Sequence, residues 1–258
     1  VDRGVFDEWL RRRAADTGAV RRTGLFEGLD RAGDGPATLR YSVRHPDGRT
    51  ETASVRARAV IGADGALSAV ARQCVRGAER MPYDFAYHEI VQSPPQGTAA
   101  FDGSRCDVFY QGELSPDFYA WIFPHGDVTS IGTGTAHTGF ARRDSVAALR
   151  AATGLASAAT IRREGAPIPL RPLARWDNGD DVVLAGDAAG VVAPASGEGI
   201  FYAMTGGRLA ADAVDQRLAT GDGRALASAR RRFMRDHGKV FWILGIMQYF
   251  WYKNDKRC

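Results

Sequence analysis

Cysteine is scarce: Cys74, Cys106 and Cys258 are the only three in 258 residues. They form no CxxC pair and no even-numbered framework, so neither a disulfide scaffold nor a structural zinc site is supported, and no metal site is expected. A reducing, cytoplasmic setting fits. Long apolar runs are missing as well. No stretch reaches the roughly 18 residues that a bilayer-spanning helix needs, and no signal-like segment opens the chain, so a membrane-spanning or exported protein is not expected. Also absent is a GxGxxG fingerprint after a strand, because Gly132-Thr133-Gly134 and Gly197-Glu198-Gly199 both fail at the sixth position. The chain opens on Val1 without a methionine and closes just after a dense aromatic stretch, and is therefore read as a piece of something longer.

What is present is a globular composition, 45% hydrophobic and 25% charged, with no internal repeat and no low-complexity linker. The net charge of +4 is unevenly placed. From Arg230 onward eight Lys and Arg face two Asp, which leaves the rest of the chain mildly acidic. A local basic excess of this kind does not call for a nucleic-acid partner.

Residues 7–19 carry Trp9, Leu10 and Ala14 at helical spacing before Gly18, which predicts a short amphipathic helix. Residues 38–43 and 50–55 flank the turn His45-Pro46-Asp47-Gly48, a hairpin signal, and a strand over 57–61 follows. Further strands are expected at 85–91, 106–110, 118–123 and 128–132, giving a mainly antiparallel sheet. A capped helix at 145–153, a buried strand at 182–185 and a long helix at 199–218 complete the pattern.

Three segments carry chemistry. In DVVLAGDAAGVVAPASGEGIFYAM, residues 181–204, a buried strand ends at Gly186-Asp187 and a glycine-punctuated loop enters a helix. Free N–H groups at such a helix start suit an anion. The small residues Gly186, Ala188, Ala189 and Gly190 admit a ligand close to the backbone, and the Asp187 carboxylate suits a polyol hydroxyl. The plain alternative is an ordinary strand-loop-helix connection with Asp187 as a cap. VIGADGALSAVAR, residues 60–72, reads as a strand, a tight Asp64-Gly65 turn and a short helix presenting Ser68 and Arg72, and alone it need be no more than that. LSPDFYAWIFP, residues 114–124, alternates so that Tyr119, Trp121 and Phe123 share one face of a strand. Such a stripe is as readily core as binding surface.

Together these strings resemble FAD-dependent flavoproteins, and the geranylgeranyl reductase family in particular. Residues 181–204 are similar to the family's GD motif, 60–72 to its DG motif, and YAWIFP at 119–124 to its YxWxFP signature. The resemblance runs over nearly the whole chain. It implies that Asp187 holds the flavin ribityl chain while the loop through Gly186, Ala188, Gly190, Gly197 and Gly199 passes under the ring system. Asp64 and Gly65 would lie near the pyrophosphate, with Arg72 supporting the turn, and Tyr119, Trp121 and Phe123 would line an isoprenoid tunnel. An aromatic wall gives a hydrocarbon chain area and shape without unsatisfied polar groups.

The implied fold is α/β, a glutathione-reductase-type FAD-binding core lacking its first βαβ unit, with an inserted, mainly antiparallel substrate domain. Its implied boundaries are 1–80 and 166–225 for the two parts of the core, 81–165 for the insert and 226–258 for a basic, aromatic helical tail. The implied activity uses FAD and NADPH to reduce isolated double bonds of a geranylgeranyl group to phytyl in (bacterio)chlorophyll synthesis. The substrate would be free geranylgeranyl diphosphate or the geranylgeranyl pigment. Tyr119, His125 and Glu198 are the candidate proton donors. Arg230, Arg231, Arg232 and Arg235 ahead of Phe241, Trp242 and Tyr249, then Lys253, Lys256 and Arg257, predict peripheral contact with the photosynthetic membrane, or docking on the protein's own domain. The rival readings are a flavin-dependent aromatic monooxygenase or halogenase, and a non-catalytic isoprenoid-binding protein.

Overall fold

The computed structural model describes residues 2–33, 35–95 and 101–250. It divides into two compact units, Val1–Ala57 and Arg58–Cys258.

The first unit is a helix, α1 (Arg3–Asp16), and a three-stranded antiparallel sheet of β1 (Leu25–Asp30), β2 (Ala37–Arg44) and β3 (Thr50–Ala57) in that order. The β2–β3 hairpin turns where Pro46, Asp47 and Gly48 supply turn chemistry: Gly48 has φ +85° and donates to the His45 carbonyl at 2.9 Å. Helix α1 departs from expectation. It starts four residues before the expected helix, ends at Asp16 and buries no residue, so it is no core-facing amphipathic helix. Asp2 caps it, and its surface is held by exposed ion pairs such as Arg3–Asp7. The strand expected over 57–61 is also divided, with β3 ending at Ala57 and β4 (Val60–Gly62) belonging to the second unit.

The second unit holds a parallel pair, β4 with β10 (Val182–Leu184), and a five-stranded antiparallel sheet. The large sheet runs β6 (Asp107–Phe109), β7 (Ala120–His125), β8 (Val128–Thr135), β5 (Tyr83–Gln92), β9 (Thr160–Pro169). Its helices are α2 (Ala69–Cys74), α3 (Arg142–Ala152), α4 (Ile200–Thr220) and α5 (Ser228–Phe250). Strict alternation gives the large sheet two different faces. On one, Val91, Ala120, Ile122 and Ile131 form a core with Val146 and Leu149 of α3. The other carries Trp121, Gly132, His88 and Glu164 as one row of register partners across four strands.

Two elements start elsewhere than expected. Strand β7 begins at Ala120, which leaves Phe118 and Tyr119 just outside it. Helix α3 begins at Arg142 and is not capped by Ser145, whose Oγ instead donates to the Leu114 carbonyl at 2.7 Å.

Candidate active site

Strands β4 and β10 run in parallel with Val60 opposite Val182 and Gly62 opposite Leu184, and the Ala185 N–H donates to the Gly62 carbonyl at 2.9 Å. Both motif turns therefore leave the carboxyl ends of adjacent parallel strands, where open α/β sheets bind ligands. Gly62 leaves room for the packing beside this pair: a Cβ there would lie 2.8 Å from both Leu184 Cδ2 and Val70 Cγ1, and one of them would have to shift.

In the upstream turn, Gly65 sits at φ +81° with open space beside it. The Asp64 carboxylate accepts from the Ala69 N–H at 2.7 Å, the Val70 N–H at 3.1 Å and the Ser68 hydroxyl, while Ser68 Oγ caps α2 through the Ala71 N–H at 2.8 Å. Asp64 thus organises the turn from within. Arg72 lies exposed on α2, and a residue that sequence reasoning passed over, Tyr83, ties the turn by donating to the Ala66 carbonyl at 2.8 Å.

In the downstream loop, every residue from 181 to 195 is buried except Asp187, which is half-exposed. Gly186 (φ +62°) and Gly190 (φ +78°) have left-handed backbones, and a Cβ on Gly190 would collide with the Arg171 carbonyl oxygen. Ala188 and Ala189 are fully buried. Asp187 Oδ1 would stand 3.7 Å from a Cβ on Gly199, the residue that opens α4 with no side-chain cap. A carboxylate over a glycine-lined helix start is a donor and acceptor set suited to a ribityl hydroxyl and an anionic group, so the residues present fit FAD. Ala195 (φ +67°) is the only non-glycine with positive φ among the described residues, so the loop holds backbone strain of about 1–3 kcal/mol beside this set.

The aromatic stripe joins the loop directly. Tyr119 Oη donates to the Ser196 carbonyl at 2.7 Å, and Gly197 (φ +67°) packs tightly beneath it, since a Cβ would lie 3.2 Å from that hydroxyl and press on it. Burial, with the nearby Tyr110 and the Glu198 charge, pushes the Tyr119 phenol up to about 12. From Tyr119 the rings continue to Trp121 at 5.9 Å and on to Phe123 at 6.0 Å, and Phe118 stacks on Tyr119 at 4.1 Å. Trp121 and Phe118 lie across strand β8 at Gly132 and Gly134, where any side chain would strike the rings. The alternating glycines of β8 were the sequence signal for these rings.

The three candidate proton donors are not gathered in one place. Glu198 lies in the same loop as the Tyr119 contact, with Oε1 accepting from the Phe201 N–H at 2.9 Å. His125 ends β7 at the two-residue turn to Val128, about 17 Å along the strand from Ala120, the residue after Tyr119, at about 3.3 Å per residue.

The FAD binding domain family matches residues 6–231. A Rhodobacter capsulatus protein named geranylgeranyl diphosphate reductase is 49% identical over all of this chain and 64% of its own length. The chloroplastic geranylgeranyl diphosphate reductase of Nicotiana tabacum is 34% identical over 99% of this chain and 56% of its own. The chain thus spans less than two thirds of these relatives. A Thermoplasma acidophilum structure described as geranylgeranyl bacteriochlorophyll reductase-like superposes with a TM-score of 0.82 at 21% identity, over 96% of this chain and 63% of that one, a likeness of fold. The chain belongs to the FAD binding domain family, and these two relatives, to which it is similar over its whole length, are named geranylgeranyl diphosphate reductases.

Proposed function

We propose that the protein containing this chain reduces the isolated double bonds of a geranylgeranyl group to phytyl in (bacterio)chlorophyll synthesis, with FAD as cofactor and NADPH as reductant. The observation that carries this reading is the Tyr119 to Ser196 hydrogen bond, which joins the aromatic stripe to the loop of Asp187. The names of the Rhodobacter and tobacco relatives support it. We read 1–80 and 166–225 as parts of the FAD-binding core around an 81–165 substrate domain, with 226–258 as a helical tail.

FAD, when bound, supplies hydride chemistry. Asp187, with Gly186, Ala188, Gly190, Gly197 and Gly199 around it, would hold the ribityl and phosphate portions, and Asp64 with Gly65 and Arg72 would shape the wall by the pyrophosphate. An isolated trisubstituted alkene has no conjugated carbonyl, so its reduction needs a proton as well as a hydride, and the cationic character that develops must be kept from water. Tyr119, Trp121 and Phe123 form the wall that excludes it. Of the proton-donor candidates, Tyr119 and Glu198 stand at the loop and His125 at the far end of the strand. Tyr119 keeps its proton at Oη across the working pH range, which suits it to positioning the loop.

Among the described residues no helix is long and apolar enough to cross a membrane. We read the protein as cytoplasmic and resting peripherally on the photosynthetic membrane, and the exposed Trp242, Ile243, Ile246 and Phe250 on α5 support the membrane contact. Lys253, Lys256 and Arg257 lie outside the described residues.

The test is incubation of the full-length protein with FAD, NADPH or NADH, and geranylgeranyl diphosphate or geranylgeranyl pigment in detergent. Stepwise mass gains of two hydrogens ending at phytyl are expected, faster with NADPH. Insertion of oxygen would move the protein to the monooxygenases, and absence of flavin to the binding proteins.

A further inference from the structure

The row Trp121, Gly132, His88, Glu164 is joined, on the sheet face opposite the α3 core, by a chain of hydrogen bonds. Trp121 Nε1–H donates to Ser130 Oγ at 3.1 Å, Ser130 Oγ meets His88 Nδ1 at 3.0 Å, and His88 Nε2 meets Glu164 Oε2 at 3.1 Å. An ionised carboxylate only accepts, so Nε2 of the neutral ring carries the hydrogen. Nδ1 is then an acceptor, the Ser130 hydroxyl donates to it, and the Ser130 oxygen is left to receive the indole. Every donor has one acceptor, and Ser130 is buried, so the direction of the whole chain is fixed. Gly132 makes the approach feasible, because a Cβ there would collide with both the Trp121 ring and His88 Cβ.

We propose that Ser130, backed by His88 and Glu164, is a positioning residue that fixes the Trp121 indole in the aromatic wall. The consequence for hydrocarbon binding rests on the function proposed above. Trp121 is the middle ring of the stripe, so its orientation sets the width of the wall between Tyr119 and Phe123.

Protonating His88 would reverse the link to Ser130. Nδ1 would become a donor, Ser130 Oγ would receive two hydrogens, and the buried hydroxyl would lose its acceptor. The surroundings resist that protonation. Desolvation holds the His88 pKa below its ordinary value of 6.5, opposed by Glu164 of β9 and aided by Arg162, which itself pairs with Glu164 at 3.0 Å. From β8 the facing residues are Ser130 and Gly132, and from β7 Trp121, none of which adds a charge.

The experiment follows Trp121 emission in the full-length protein, taken as the difference between wild type and Trp121→Phe, from about pH 5 to 8 without ligand. The difference emission should titrate in one step with a midpoint below 6.5, and the step should vanish in His88→Asn, whose amide oxygen still accepts from Ser130. Quenching by geranylgeranyl diphosphate at pH 8 should then weaken about three- to tenfold in Ser130→Ala and His88→Leu, and recover in His88→Asn. A step that survives in His88→Asn, or quenching at pH 8 that is unchanged in both Ser130→Ala and His88→Leu, would overturn the proposal. A wild-type protein that shows the step yet is not quenched by geranylgeranyl diphosphate would keep the positioning chain and exclude the free diphosphate as the ligand of this wall.

Discussion

At the scale of single residues, the loop after β10 is built on conformations that side chains do not tolerate. Gly190 combines φ +78° with a blocked Cβ direction, so Gly190→Ala should cost about 2 kcal/mol or more, read as a lowered urea midpoint with unchanged slope. Ala195 shows the opposite case: it holds φ +67° while 2% exposed, so Ala195→Gly should be neutral or stabilise by up to about 1 kcal/mol. The Tyr119 phenol gives a third test. Its ionisation near 12 should appear as a tyrosinate absorbance step that disappears in Tyr119→Phe. The glycine and Asp187 pattern of this loop was legible because the signal is local. The Tyr119 to Ser196 contact was not, since it joins residues 77 positions apart and only the folded sheet brings them together.

At the scale of elements, α3 and β9 are tied to β5 through Glu89. Its carboxylate, 10% exposed, pairs with Arg150 of α3 and Arg163 of β9 and accepts from the Tyr87 hydroxyl at 2.8 Å. Burial alone would raise the Glu89 pKa, but the hydrogen bonds from Tyr87, Arg163 and Arg150 outweigh it and leave it lowered. A lowered folded pKa stabilises the native state above the unfolded value, near 4.5, and that stability is lost as pH falls through the folded pKa. Glu89→Gln should flatten this acid limb of the stability curve, and Glu89→Ala, which strands the nearly buried Arg150 charge, should cost about 3–5 kcal/mol. Strand β9 also marks a limit of sequence reading. Its Thr-Ile-Arg-Arg-Glu-Gly stretch is largely exposed and shows no apolar alternation, because an edge strand gains its order from backbone pairing and its charges guard the open edge. Strand β1 was missed too, whereas the β2–β3 hairpin announced itself through its turn.

At the scale of the whole molecule, the decisive arrangement is a parallel strand pair that brings the Asp64 and Asp187 turns to one end, with an antiparallel sheet whose aromatic face reaches the Asp187 loop. Asp187→Ala should leave the fold intact and lower flavin content, read from the absorbance ratio of purified full-length protein. The measurement that tests the central claim most directly is a titration of the full-length flavoprotein with geranylgeranyl diphosphate, following the visible flavin spectrum. A saturable spectral shift in wild type, at least about tenfold weaker in Trp121→Ala, is the expected result, since losing a large aromatic contact costs more than about 1.4 kcal/mol. Protein that retains flavin but shows no shift, or binds equally well without the Trp121 ring, would contradict the claim that the aromatic face delivers the isoprenoid to the flavin.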